Sequence, residues 1–204
     1  MTLKIGVLGI QGAVSEHVEA LNDTLKMMNL EGSVVIVKNL SQLENVHGLV
    51  IPGGESTTIG RVTKEKGLMD KIIRIVEDGL PVLGTCAGLV LLAKEVYDAK
   101  IGVTKQPLLG LMNIKVVRNA FGRQRESFEV DLEIPVLGEK PFPAVFIRAP
   151  IVEKVWGETK ILAKYENKIV AVQEKNLLAT AFHPELVDDR RFHQYFVKMI
   201  LNKR

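Results

Sequence analysis

Apolar positions along this 204-residue chain follow a helical period and a strand period in alternation through its first half. Leu3 to Leu8 is a short apolar run that reads as a buried strand. After it Val14, Val18, Leu21, Leu25 and Met28 recur at spacings of three and four, which places them on one face of a helix. Ser33 to Lys38 is a β-branched strand and Gly48 to Pro52 another. Lys66 to Asp78 is a second amphipathic helix carrying Leu68, Met69, Ile72, Ile73 and Val76. Leu80 to Gly84 reads as a strand, and the nearly polar-free run Leu89 to Val96 as a helix. Such alternation predicts a parallel sheet with helices on both faces.

Beyond about Lys100 the pattern changes. Phe128, Val130, Leu132 and Ile134 alternate with Glu129, Asp131 and Glu133, the signature of a strand with one wet face. Lys160 to Tyr165 and Lys168 to Gln173 flank the turn Glu166-Asn167, and Leu178 to Phe182 follows Lys175-Asn176. These predict antiparallel additions at a sheet edge. A closing helix, Asp188 to Asn202, carries Phe192, Phe196, Met199 and Ile200 on its buried side. The expected fold class is therefore α/β, a three-layer sandwich with a mostly parallel central sheet and antiparallel edge additions. No linker-like or low-complexity stretch divides the chain, so residues 1–204 are expected to form a single domain.

Composition narrows the function without choosing it. The chain is 47% hydrophobic and 25% charged, with a net charge of +3, and its 27 basic residues are scattered among 24 acidic ones. That argues against nucleic-acid binding. No apolar run approaches the ~18 residues of a membrane span, and the first residues read as a strand rather than an export signal. A cytoplasmic location is expected. With one cysteine, no internal disulfide can form, and a reducing compartment keeps that thiol free.

That cysteine stands in Gly84-Thr85-Cys86-Ala87-Gly88, between a predicted strand and a predicted helix. Small neighbours relieve the crowding of a sharp turn there, the logic of the G-x-S-x-G nucleophile elbow with sulfur for oxygen. A helix start beside the thiol also favours thiolate. A lone cysteine in such a protein is otherwise a small buried hydrophobe. His183-Pro184-Glu185 follows the strand Leu178 to Phe182. A carboxylate two residues from a histidine can fix its tautomer and leave the other ring nitrogen free for proton exchange; the bland alternative is a loop ion pair. Pro52-Gly53-Gly54-Glu55-Ser56 follows the strand at Gly48, and adjacent glycines let backbone N–H groups reach an oxyanion. A plain turn would look the same. Taken together, all three motifs lie at strand ends, where ligands bind in open α/β sheets, and they supply nucleophile, oriented base and oxyanion donors for acyl transfer through a thioester. His17, His47 and His193 have no comparable partner set in the sequence, and no metal-ligand spacing is evident.

These motifs resemble those of the class I glutamine amidotransferases, whose flavodoxin-like fold carries a similar elbow and a similar His-Pro-Glu. Over nearly the whole chain the sequence is similar, more narrowly, to the glutaminase subunits of pyridoxal 5′-phosphate synthases, through Gly9-Ile-Gln11-Gly-Ala13, Pro52 to Thr58, Arg118 to Gln124 and Phe146 to Pro150. The segment Asp98 to Pro107 is the least family-like and is expected to lie away from these motifs. The resemblance implies hydrolysis of L-glutamine to glutamate and ammonia, with Cys86, His183 and Glu185 as the catalytic triad. It implies Gly53, Gly54 and Ala87 as oxyanion donors, and Gly54, Glu55, Ser56, Arg118, Ile147 and Arg148 around the glutamine. Gln11 is placed near the interface with a separate pyridoxal 5′-phosphate synthase subunit, which would receive the ammonia; no metal or cofactor is implied. Related glutaminases feed histidine, purine, pyrimidine or aminobenzoate synthesis, which leaves another synthase as the alternative recipient. From charge alone, Arg118 and Arg148 fit either a substrate carboxylate or a structural acid.

Two other functions are weaker fits. A dinucleotide fingerprint would need glycine where Leu8 stands and an acid after the second strand, where Lys38-Asn39 occurs. An oxidation sensor built on Cys86 would need no general base beside it.

Overall fold

A computed structural model describes residues 2–100, 102–119 and 127–203. The first half runs β1 (Leu3–Leu8), α1 (Val14–Met27), β2 (Gly32–Val37), α2 (Leu40–Leu43), β3 (Gly48–Ile51), α3 (Ser56–Glu65), α4 (Leu68–Glu77), β4 (Val82–Thr85) and α5 (Ala87–Leu92). Then come β5 (Ala93–Asp98), β6 (Gly102–Val103), β7 (Met112–Arg118), β8 (Ser127–Leu132), β9 (Phe142–Ile147), β10 (Ile151–Val155), β11 (Lys160–Tyr165), β12 (Lys168–Glu174), β13 (Leu177–Thr180) and α6 (Arg191–Asn202).

The central sheet has the order β2-β1-β3-β4-β13-β12-β10-β7-β5-β6, with β11 beside β12. From β2 to β13 every pair is parallel. Central strands covered on both faces must be apolar throughout, and β3, β4 and β13 are buried along their whole length, while the edge strand β2 is only partly buried. α1 packs on α6, and α3 on α4 and α5; these two helical groups form the outer layers of the three-layer sandwich. Apolar side chains of sheet and helices merge into one buried cluster, and no helix among the described residues is long and apolar enough to cross a membrane.

Several expectations needed revision. The helix read through Val96 stops at Leu92, and Ala93–Asp98 is a strand paired in parallel with β7. An apolar run of this length fits either period, and the partner strand decides it. The antiparallel additions lie where they were expected, with β12, β10 and β7 continuing the sheet beyond β13. Among the described residues the alternating strand β8 pairs only with β9, in a separate two-stranded sheet where Phe128 stacks on Phe146 with ring centroids 4.7 Å apart. The β11–β12 hairpin forms as expected, with Glu166 and Asn167 both at positive φ, which suits a two-residue turn. α6 begins at Arg191 rather than Asp188, and just ahead of it the Asp189 side chain accepts the Arg191 backbone N–H at 3.0 Å in a local turn.

Helix α3 was not anticipated. Its entry is set by Glu55, whose carboxylate accepts the backbone N–H groups of Thr57 and Thr58 at 3.3 and 2.7 Å. Gly67, at φ 68°, lets the chain turn from α3 into α4.

Candidate active site

Cys86 leaves the end of β4 with φ 49° and ψ −98°, backbone that a residue bearing a Cβ adopts only under constraint. The constraint is visible on both sides. A Cβ on Gly84 would come within 2.7 Å of the Gly88 carbonyl carbon, and one on Gly88 within 2.2 Å of the Ile51 carbonyl oxygen. The turn therefore closes only with glycine at both positions, as an elbow requires. The Cys86 N–H donates to the Thr180 carbonyl at 2.8 Å, tying the elbow to the neighbouring strand.

β13 ends at Thr180, and the chain passes through Phe182 to His183, whose N–H is held by the Val145 carbonyl at 2.8 Å. Pro184 opens a single 3-10 turn, Pro184–Leu186, that folds Glu185 back beneath the imidazole. His183 Nδ1 lies 2.7 Å from Glu185 Oε1. Nε2 is then the ring nitrogen left for Cys86. Burial acts to lower the His183 pKa, but hydrogen bonds and charges from Cys86 and Glu185 outweigh it and raise it to about 10. Burial acts in the opposite sense on Glu185, and is outweighed by His17 and His183, which hold its carboxyl below the usual carboxylate range.

The third predicted motif arrives from β3, on the other side of β4. The side-chain space of Gly53 is already filled: a Cβ there would lie 2.4 Å from His183 Cε1 and 3.3 Å from Cys86 Cβ. Its carbonyl accepts the Ala13 N–H at 3.1 Å, which turns the Gly54 N–H of the same trans peptide the opposite way. Gln11, at the end of β1, is exposed and accepts the Glu55 N–H through Oε1 at 2.8 Å. The ends of β1, β3, β4 and β13, adjacent in the sheet, thus assemble one site.

These groups border a cavity of about 270 Å³. Gln11, Gly54, Glu55, Ser56, Cys86, Ala87, Arg118, Ile147, Arg148 and His183 all line it, together with Val90, Asn119 and Pro150, which the sequence had not singled out. Glu185 lies behind the wall. Arg118 is held by structural acceptors: Nη1 donates to Gln106 Oε1 at 2.7 Å and Thr57 Oγ1 at 3.2 Å, and Nη2 to Glu55 Oε1 at 3.2 Å. Its Nε lies 3.6 Å from Asp98 Oδ2. Arg148, exposed and at φ 42°, has no hydrogen-bond partner among the described residues. Residues 120–124 of the family-like stretch after Arg118 lie outside the described residues.

Two sequence expectations fail here. Asp98 to Pro107 does not lie away from the motifs, since Asp98 and Gln106 both reach Arg118 and Gln106 also accepts from Ser56 and Thr57. His17 and His193 are not without partners. His17 Nε2 is 3.3 Å from Glu185 Oε2 and 3.0 Å from Thr85 Oγ1, and its Nδ1 is 3.3 Å from His193 Nε2. The available signal was a histidine on the apolar stripe of α1, beside Val14, Val18 and Leu21, a place where a polar group needs a partner.

Residues 7–202 match the SNO glutamine amidotransferase family. The chain belongs to that family. Among curated relatives of this amidotransferase, the pyridoxal 5′-phosphate synthase subunit PdxT of Moorella thermoacetica is 54% identical over 198 residues, covering 97% of this chain and all of that one. The PdxT of Staphylothermus marinus is 49% identical over 205 residues, covering 98% and 100%. A crystal structure of a glutamine amidotransferase superposes with TM-score 0.85 at 43% identity, covering 96% of this chain and 98% of that one. The PurLQS structure from Thermotoga maritima, at 18% identity and TM-score 0.64, shares the fold.

Proposed function

We propose that this glutamine amidotransferase hydrolyses L-glutamine through a Cys86 thioester and delivers the ammonia to a separate synthase subunit that makes pyridoxal 5′-phosphate. The observation carrying the chemistry is the strained Cys86 elbow set against the His183–Glu185 pair, with Cys86 and His183 in the cavity wall and Glu185 behind it. His183 takes the Cys86 thiol proton, the thiolate Sγ attacks the side-chain amide carbon, and the carbonyl electrons move onto oxygen. Backbone N–H groups of Ala87 and of the Gly53-Gly54 loop stabilise that oxyanion. Protonated His183 gives its Nε2 proton to the amide nitrogen, ammonia leaves, and a thioester remains. His183 then takes a proton from water, whose oxygen attacks the thioester carbon; the C–S bond breaks, releasing glutamate and restoring the Cys86 thiolate beside protonated His183. Glu185 stays ionised and holds the ring in the required tautomer.

Glutamine is bound in this reading by Gly54, Glu55, Ser56, Arg118, Ile147 and Arg148. Arg118 has one Nη2 proton uncommitted among the described residues, enough for one contact to the substrate carboxylate. Arg148 supplies an unengaged guanidinium at the rim. Gln11 is assigned to the synthase interface, since it is exposed and already grips the oxyanion loop through Glu55. The single buried apolar cluster supports treating residues 1–204 as one glutaminase domain, and a biosynthetic role of this kind belongs in the cytoplasm.

The recipient is inferred from PdxT relatives matched over almost their full length. The test is reconstitution with a pyridoxal 5′-phosphate synthase subunit. Glutamine is expected to support cofactor formation with the wild-type chain and not with Cys86→Ala, while both bind the partner. Residual turnover by Cys86→Ala would remove the nucleophile assignment. Glutaminase activity stimulated instead by a histidine, purine or aminobenzoate synthase would move the ammonia to that pathway.

A further inference from the structure

We propose that His17 is a positioning residue for this site, holding the Glu185 carboxylate from the side opposite His183, while His193 fixes the His17 tautomer. The inference rests on the assignment of Cys86, His183 and Glu185 above.

Glu185 Oε1 is taken by His183, and Oε2 is buried with no well-directed hydrogen bond from the described residues. A buried carboxylate oxygen in that position needs a donor. The ring nitrogen facing it is His17 Nε2, at 3.3 Å, reaching in from α1. Neither His17 nor Glu185 has any side-chain surface in contact with solvent.

The chain of contacts selects one tautomer. His17 Nδ1 and His193 Nε2 are 3.3 Å apart, so one of them carries the proton. If His17 donated from Nδ1, its Nε2 lone pair would face Glu185 Oε2. His193 would then carry its proton on Nδ1, which is buried and has no partner. Both consequences are unfavourable, and an orphaned buried N–H is the rarer defect. In the other arrangement His193 Nε2–H donates to His17 Nδ1. His17 Nε2–H then serves Thr85 Oγ1, at 3.0 Å, and Glu185 Oε2, and only a lone pair is left over on His193. Burial lowers the pKa of both rings, His193 more strongly.

The consequence is mechanical. A carboxylate bonded to His183 at Oε1 and faced by the His17 N–H at Oε2 resists rotation away from the imidazole while that ring passes its proton to the departing ammonia, and the elbow residue Thr85 is tied to the same histidine. The groups facing Glu185 are His183 on its own turn and His17 from α1, with Glu16 beside His17 and with His193 and Arg190 behind.

The test compares His17→Phe, which keeps a ring and removes the donor, with His17→Gln, whose amide N–H can take the place of Nε2–H. Both are measured as the reconstituted complex for glutamine turnover. Alkylation of Cys86 by iodoacetamide as a function of pH is followed alongside, because it needs no glutamine. We expect His17→Phe to lower kcat by about ten- to a hundredfold, as loss of an orienting partner does, with KM within about twofold. The pH midpoint of alkylation should move upward, and His17→Gln should recover most of both. Wild-type kcat and an unmoved alkylation profile in His17→Phe would overturn the proposal. So would equal loss in both variants with lowered thermal stability, which would make His17 a packing residue. Absence of wild-type glutamine turnover would instead sink the glutaminase reading, and the alkylation profile would still decide the role of His17.

Discussion

Thr85 and Thr180 are register partners in the parallel β4–β13 pair. Cys86 is the next residue after one and His183 the third after the other, so adjacent strands deliver the proposed nucleophile and the proposed base at the same end of the sheet. The carboxylate then needs only the turn Pro184–Leu186 to reach its place. No long loop intervenes, and the geometry of the proposed triad is inherited from core strands that are buried throughout.

Glu185→Gln tests the electrostatic part of that arrangement. The amide fills the same volume and can still accept from His183 Nδ1, but the charge that stabilises imidazolium is lost. We expect kcat for glutamine to fall by about 10²- to 10⁴-fold, the scale for neutralising a triad carboxylate, with KM little changed. Steady-state kinetics of the complex measures both, and a loss under threefold would mean that Glu185 is a structural ion-pair partner.

The meeting of Cys86, His183 and Glu185 and most of the cavity lining were legible because each lies next to a short apolar strand with a distinctive small-residue or proline signature. Glycines at 84 and 88 are steric requirements of the elbow, so they had to appear in the sequence beside Cys86. What stayed hidden was long-range. Gln106 contacts Ser56 from fifty residues away and Asp98 pairs with Arg118, and neither carries a local pattern. His17 and His193 converge from α1 and α6, 176 residues apart in the chain, and sequence spacing contains no trace of it. The misread run after Leu92 has the same origin, since its strand character comes from β7.

Gly88→Ala should damage the elbow without touching a reacting atom. The added methyl would lie 2.2 Å from the Ile51 carbonyl oxygen, and backbone on both sides leaves no flexible side chain to yield. Overpacking of this kind costs about 1–3 kcal/mol. At about 2–4 °C per kcal/mol for a domain of this size, thermal unfolding should come several degrees lower. Turnover should fall as well, because Cys86 cannot keep its φ if the helix start shifts. A melting temperature equal to wild type would show that the elbow relaxes more easily than its contacts imply.

The pH dependence of stability has two limbs of known sign. His183 has its folded pKa raised from 6.5 to about 10. Its contribution is fully present below about pH 6.5 and is lost as pH rises toward 10. Glu185, Glu55 and Asp189 are shifted the other way, from ordinary values of 4.5, 4.5 and 3.8. They stabilise the fold above those values and lose that contribution as pH falls through the lower folded ones. Denaturant unfolding of wild type between pH 7 and 10 should therefore show declining stability, and His183→Gln should show a shallower decline. Parallel curves for the two proteins would contradict the raised His183 value.

Arg118 carries the most discriminating prediction, because its guanidinium meets Glu55, Thr57, Gln106 and Asp98 while facing the cavity. Only a planar fork with five donors can satisfy that set and retain one proton for a substrate carboxylate. Lysine keeps the charge but cannot span the four acceptors. Arg118→Lys should therefore raise KM for glutamine by about 10- to 100-fold, the equivalent of one charge-assisted hydrogen bond, with a smaller effect on kcat. Gln106→Leu leaves the charge in place and removes the acceptor at 2.7 Å, and a weaker rise in KM of the same kind is expected because Arg118 is less firmly aimed. Both constants come from initial rates over a glutamine series. If Arg118→Lys lowered kcat at constant KM, the guanidinium would be acting on the oxyanion loop through Glu55 rather than on the substrate.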